Sequence, residues 1–499
     1  MSEELKGPDL SPPAVAHYLA TRPSTLVPPP FHEKKHLLNP LPGLREITLR
    51  QWSFIGVAFF GWTWDAFDFF SVSIVVPNIA KSLDRTVAQI SWGITVVLML
   101  RSVGAVIFGL AADKWGRKWP FIINCLVFIA LELGTGFVQT YPQFLAVRAL
   151  FGIAMGGMFG NCASTALDDC PPQAKGLISG LLQQGYAFGY LLVVIFNRAI
   201  ADNSPHGWRA LFWFGAGPPV LIIIWRLCLP ENDAFLEHKR RREVEGDAAV
   251  TFVRAAKESM KTHWLLFIFQ VLFMVGMNFM SHGSQDLYPT RLKKQLDFSE
   301  NAATVTNCVA NLGALTGGIL FGHLSQFVGR RLTIMICCVI GAALIYPWGF
   351  SHQNASINAT AFFMQMMVQG AWGVVPIHLM ELSPPALRAF ASGTSYQLGN
   401  LASSAASTIE ATIGTQFPLY DKDGNKIPGM YDYGKVMAIL MGAVFAYTFV
   451  VCFLGPERRN ADGDIREIHD EENVDPEKIT VEYIDKEEIK KSKHSTPVL

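Results

Sequence analysis

Charge is what this sequence has least of. Of its 499 residues 16% are charged and 50% hydrophobic, where an ordinary soluble domain carries about 25% charge. Too few ionised side chains are present to clothe a water-facing surface of this size, which points to a membrane protein. Neither sign dominates, with 41 Lys+Arg against 41 Asp+Glu, and that balance removes the case for nucleic acid. The eight cysteines (Cys125, Cys162, Cys170, Cys228, Cys308, Cys337, Cys338 and Cys452) are scattered through apolar segments without ligand-like spacing. They read as small apolar fillers, which leaves no disulfide framework and no metal centre. No phosphate-cradling loop or nucleophile motif stands out, so the chain does not read as an enzyme and no cofactor is expected. A signal peptide is also missing from the first residues. In its place stands a polar, proline-rich stretch containing Pro28-Pro29-Pro30, from which a disordered cytoplasmic segment is expected over 1–50.

Apolar length, by contrast, is abundant. About 20 apolar residues cross a bilayer as a helix. By that measure the spans, numbered one to twelve, run over 51–80, 91–112, 119–139, 142–168, 174–197, 208–229, 264–289, 302–325, 332–350, 357–382, 389–413 and 432–455. The expected order is an N-terminal bundle of six helices over 51–229, a cytoplasmic linker over 230–263 with Lys239-Arg240-Arg241-Arg242, a C-terminal bundle over 264–455, and a charged tail over 456–499. The tail lacks an apolar face and reads as disordered. Its lysines, among them Lys478 and Lys486, are either plain solvated charge or acceptors for ubiquitin ligase machinery.

Basic residues set the orientation. Lys114, Arg117, Lys118, the linker, Arg330, Arg331 and Arg388 share one side, which places both termini in the cytoplasm; Arg291, Lys293 and Lys294 oppose the trend. The sequons at Asn354 and Asn358 then fall in an outside loop, either used for glycosylation or too close to the membrane.

The two halves repeat. Gly109-x3-Asp113-x2-Gly116-Arg117-Lys118 matches Gly322-x3-Gln326-x2-Gly329-Arg330-Arg331, and Pro171-Pro172-x2-Lys175-x4-Gly180 matches Pro384-Pro385-x2-Arg388-x4-Gly393. Both pairs are 213 residues apart (322 minus 109, 384 minus 171). Such duplication is expected of a transporter whose halves are related by an axis along the membrane normal. The same offset sets Asp65 against Asn278 and Asp68 against Ser281.

The loop motif, its partial copy and the twelve spans resemble the major facilitator superfamily. That resemblance implies an all-α membrane fold, with twelve transmembrane helices in two six-helix bundles related by pseudo-twofold symmetry, rocking about a central site. It also implies that Asp113 and Arg117 gate the cytoplasmic side. Gln326 replaces the acid in the second copy, so a gate there must differ.

Asn278-Phe-Met-Ser281-His282-Gly-Ser284-Gln285-Asp286-Leu-Tyr-Pro-Thr290 follows an apolar run, 264–276. Within a bilayer an amide, an imidazole and a carboxylate cost several kcal/mol unless they face a cavity or partners. At 100° per residue Asn278, Ser281, His282 and Gln285 share an arc of roughly 100°, with Asp286 and Thr290 at its edge. The stretch also resembles the signature of the Jen family of fungal carboxylate–proton symporters, Asn-x2-Ser/Thr-His-x-Ser/Thr-Gln-Asp-x3-Thr, at every specified position. What this resemblance implies is plasma-membrane uptake of short carboxylates (lactate and pyruvate, or malate and succinate) together with protons, and a part for the signature in recognition and translocation.

Several residues suit that chemistry. Arg101, in mid-span two, offers a planar fork that matches a carboxylate, or else it is the structural partner of Asp65 or Asp68. Asp65 and Asp68, three apart on span one, either carry protons or neutralise Arg101. His282 and Asp286 are spaced to share a proton, or His282 only donates to the substrate. Asn278, Ser281 and Gln285 are candidate substrate contacts; Gln183 in span five is another, beside glycines that read as packing. Glu132 and Arg148 suggest an ion pair, and Glu410 stays unassigned. A nutrient sensor and an efflux antiporter are the alternatives on this fold.

Overall fold

The computed structural model describes residues 10–27, 39–201, 203–245, 248–414, 416–420 and 426–458. Its helices begin where the sequence supplies caps. Span one is Leu49–Ser82 and span two Val87–Trp115, and each opens on a capping box, Thr48 with Gln51 and Thr86 with Gln89. In such a box the threonine oxygen and the glutamine side chain each satisfy a backbone N–H that the first turn leaves free. Span three is Lys118–Phe137. Span four is Tyr141–Gly156 continued by Met158–Leu167, and span five is Lys175–Phe196. Span six is divided into Trp208–Gly215 and Pro218–Cys228, because Pro218 and Pro219 lack the N–H that a continuous helix needs.

A linker helix, Asp233–Glu245, leads to Ala248–Gln285, which bends at non-helical His263 before entering span seven. Spans eight, nine and ten are Glu300–Val328, Arg330–Phe350 and Asn354–Leu382. Span eleven is divided into Arg388–Ser403 and Ala406–Gly414. An antiparallel hairpin, Pro418–Tyr420 with Lys426–Tyr431, precedes span twelve, Tyr433–Leu454.

Among the described residues nine helices are long and apolar enough to cross a membrane. Spans one, ten and eleven are not in that set, and they carry Asp65 and Asp68, Gln365 and His378, and Gln397, Asn400 and Glu410. Polar side chains that depress the hydropathy of a membrane helix are tolerated only where they face protein or an aqueous chamber.

The repeated glycines have a backbone cause. Gly116 ends span two at φ 101° and Gly329 ends span eight at φ 111°, a region closed to residues with a Cβ. Between the halves, a Cβ on Gly180 would collide with the Gly318 carbonyl oxygen. Spans five and eight therefore touch backbone to backbone.

Two expectations need correction. The segment 1–50 is not uniformly disordered: Pro12–Thr21 is helical and docks on the end of span twelve. There the Tyr18 hydroxyl donates to the Leu454 carbonyl at 3.0 Å, and Arg22 donates to the Gly455 carbonyl at 3.3 Å. The sequons are not in a loop either. Asn354 opens span ten and Asn358 lies in its second turn, where its Oδ1 accepts from Thr306 at 2.7 Å. Gln353, extended at the N-cap, already starts the helix there. The tail lysines and the Arg241-Arg242 side chains fall outside what is described.

Candidate functional site

Arg101 is held from both sides. Its carbonyl lies against span four, so close to Gly156 that a Cβ there would collide with it. Its Nη2 lies 3.1 Å from Asp65 Oδ2, and both side chains are almost wholly buried. The pairing is single: Arg101 Nε and Asp65 Oδ1 have no partner. A guanidinium with an unused donor in low dielectric can donate to a second carboxylate oxygen. The Phe69 ring lies 5.5 Å from the guanidinium, and Tyr186 feels the charges of Arg101, Asp65 and Asp286.

The two span-one acids do not act on one partner. Asp68 is fully buried, with neither oxygen hydrogen-bonded, and its electrostatic neighbours are Glu132, Asp65 and Arg148. Glu132 and Arg148 sense each other's charge, yet both Glu132 oxygens are also unpartnered. A second acidic cluster, without close ion pairs among these three, thus lies inside the first half.

Span seven carries the second ionisable pair. His282 Nδ1 lies 3.1 Å from Asp286 Oδ2, with side chains 28% and 34% exposed. Arg101 is among the charges felt by His282. Gln285 donates to Gln365 Oε1 at 3.0 Å, and Gln365 donates to Ser284 Oγ at 3.2 Å. These two residues of the signature are therefore braced to span ten. Asn278 Nδ2 donates to the Met274 carbonyl at 2.8 Å within the same helix. Ser281 is half-buried, and its carbonyl accepts from Ser284. Gln183 is buried with its Oε1 unpartnered.

Sequence reasoning missed the floor of this region. Tyr396 of span eleven stacks on Phe159 at 4.1 Å and meets Trp372 edge-on at 5.6 Å. Trp62 lies 5.8 Å from Tyr396, and the indole N–H groups of Trp62 and Trp372 have no acceptor. Asn400 donates to Gln397 at 3.0 Å, leaving Gln397 Nε2 free. The repeat held the signal for two of these: the 213-residue offset pairs Gln184 with Gln397 (397 minus 184) and Phe159 with Trp372 (372 minus 159).

At the end that bears the basic loops the halves lock together. Asp113 accepts from the backbone N–H groups of Ala389 and Phe390 at 3.1 and 2.8 Å, at the N-terminus of span eleven, where the helix dipole favours an anion. Arg117 pairs with Asp113 at 2.7 Å and Asp168 at 3.4 Å, and Asp168 reaches Arg388 across the halves at 3.0 Å. In the second copy Gln326 donates to the Pro172 carbonyl at 3.0 Å, while Arg330 grips Glu381 with two donors at 3.0 and 2.8 Å.

Comparison with known proteins agrees with this architecture. Residues 48–461 match the model of the family described as Sugar (and other) transporter. A carboxylic acid transporter protein homolog from Saccharomyces cerevisiae is 40% identical over 475 residues, which cover 92% of this chain and 77% of that relative. The sialic acid transporter NanX of Escherichia coli is 27% identical over 369 residues, 72% of this chain and 87% of NanX. A solved structure of the proton:xylose symporter XylE aligns over 80% of this chain and 94% of its own, with a TM-score of 0.66 at 18% identity, a likeness of fold alone. With its two repeated six-helix halves and the match running through all twelve spans, the chain is a multi-pass membrane transporter that belongs to the sugar (and other) transporter family of the major facilitator superfamily.

Proposed function

We propose that this transporter carries short carboxylates together with protons, and that it imports lactate, pyruvate or malate and succinate across the plasma membrane. The observation that carries the reading is the singly bonded Arg101–Asp65 pair within the field of His282–Asp286. A substrate carboxylate and Asp65 compete for one guanidinium. When a proton binds an Asp65 oxygen, Arg101 is left as an uncompensated buried cation, which costs several kcal/mol until an anion replaces the lost partner. Proton and anion thus favour each other's binding, the thermodynamic requirement for symport. His282 and Asp286 pass the proton between chamber and outside medium, and Gln183 and Gln285 give the substrate amide donors.

The 40% identity to a carboxylic acid transporter homolog supports the substrate class. The basic loops support cytoplasmic termini, with bundles over 51–229 and 264–455 rocking apart where Asp113 and Arg117 hold them closed. Uptake of labelled lactate or malate in transporter-null cells tests the reading. It should peak at acid pH and collapse with a protonophore. Uptake indifferent to the protonophore would remove the proton from the mechanism.

A further inference from the structure

Arg101 explains how an anion is held and says nothing of the body attached to it. That body meets span five. Phe70 lies 5.2 Å from Tyr186 and 5.0 Å from Tyr190, both edge to face, and Trp62 lies 5.4 Å from Tyr186. Unlike the sealed aromatic packing of Phe67 and Phe128, these rings are accessible: Phe70 and Tyr186 are half-buried and Tyr190 is 37% exposed. Tyr190 feels Lys293 and Cys308 of the second half, and Tyr186 feels Asp286. The shelf reaches Arg101 through Phe69, whose ring lies 5.3 Å from Phe70 and 5.5 Å from the guanidinium.

We propose that the chamber takes carboxylates with a flat, unsaturated body, aryl carboxylates above all, and that Tyr186 is the specificity-determining residue. This rests on the reading of Arg101 as the carboxylate's partner. A ring stacked or edge-on against Tyr186 and Phe70 gains the quadrupole complementarity of an aromatic pair beyond its area of contact. A puckered saturated ring of equal size gains area alone. The difference corresponds to roughly three- to tenfold in affinity.

The test uses the full chain purified into lipid nanodiscs, with binding of benzoate and cyclohexanecarboxylate followed by calorimetry and lactate as reference. Direct binding avoids the passive membrane permeation of weak acids. Benzoate should bind about three- to tenfold more tightly than cyclohexanecarboxylate. Tyr186→Phe should keep that ratio and Tyr186→Leu should bring it near one. Equal affinity for the two probes, or a ratio untouched by Tyr186→Leu, overturns the proposal. Arg101→Ala reports on the underlying reading separately: loss of all three ligands supports the carboxylate site, whereas retained lactate binding removes that site and this inference with it.

Discussion

The two halves have the same fold and opposite chemistry. In the first, span one and span two bury a guanidinium and a carboxylate almost completely. In the second, the equivalent stretch of span seven presents an imidazole and a carboxylate about a third exposed, with amides braced to span ten. The 213-residue offset sets Asp65 against Asn278 and Arg101 against Ala314 (314 minus 101), so duplication preserved the backbone while the charges diverged. A fixed charge needs a rigid, dry setting to discriminate, whereas a proton relay needs access to water. On the proposed reading one half holds the anion and takes the coupling proton on Asp65, and the other relays that proton to and from water.

The largest expected effect breaks the first half. Arg101→Ala should lower uptake efficiency about 100-fold or more, since it removes a charge-assisted contact and orphans buried Asp65. Surface labelling should show that the variant reaches the membrane. Arg101→Lys should recover little, because an ammonium cannot offer two donors in one plane. His282→Ala tests the second half and should cost about 10- to 100-fold, the usual size for a lost proton-transfer group. Its signature is a flattened dependence of uptake on pH between about 5 and 7, which a purely structural histidine would not give.

The gates supply a milder contrast. Asp113→Asn weakens an anion held by two backbone N–H groups and Arg117, and should slow turnover about tenfold. Gln326→Ala removes the contact to Pro172 and the bond that Arg330 donates to the Gln326 Oε1, while the Arg330–Glu381 pair stays; about twofold is expected. Equal effects on initial uptake rates would show that the two gates are interchangeable. Smallest of all, Gln365→Ala should raise the KM for substrate by about half by releasing Gln285 and Ser284.

Much of the fold was legible because hydropathy, glycine and charge act locally. Twelve apolar runs, two Gly–Arg loops and two Pro–Pro loops were enough to read the superfamily. Arg101 and His282 stood out because an ionisable group inside an apolar run is costly unless a partner, a substrate or water offsets its desolvation. The bond that Asn278 makes was not legible, since its position on the helical arc does not reveal that its amide would bond Met274 of the preceding turn. Asp68 and Asp65 looked like one dyad, and only the placement of spans two, three and four separates their neighbours. Tyr396, Trp372 and Gln365 stayed hidden for a simpler reason: an aromatic or amide in a membrane helix is ambiguous until the facing helix is known.

Symport by this route requires Arg101 to exchange Asp65 for a substrate carboxylate, and a cryo-EM structure of the lactate-bound transporter addresses that exchange most directly. The expected density puts the carboxylate about 3 Å from the guanidinium, with the Asp65–Arg101 contact opened and His282 on the same chamber wall. An Arg101–Asp65 pair still closed at 3.1 Å with lactate bound elsewhere would contradict it.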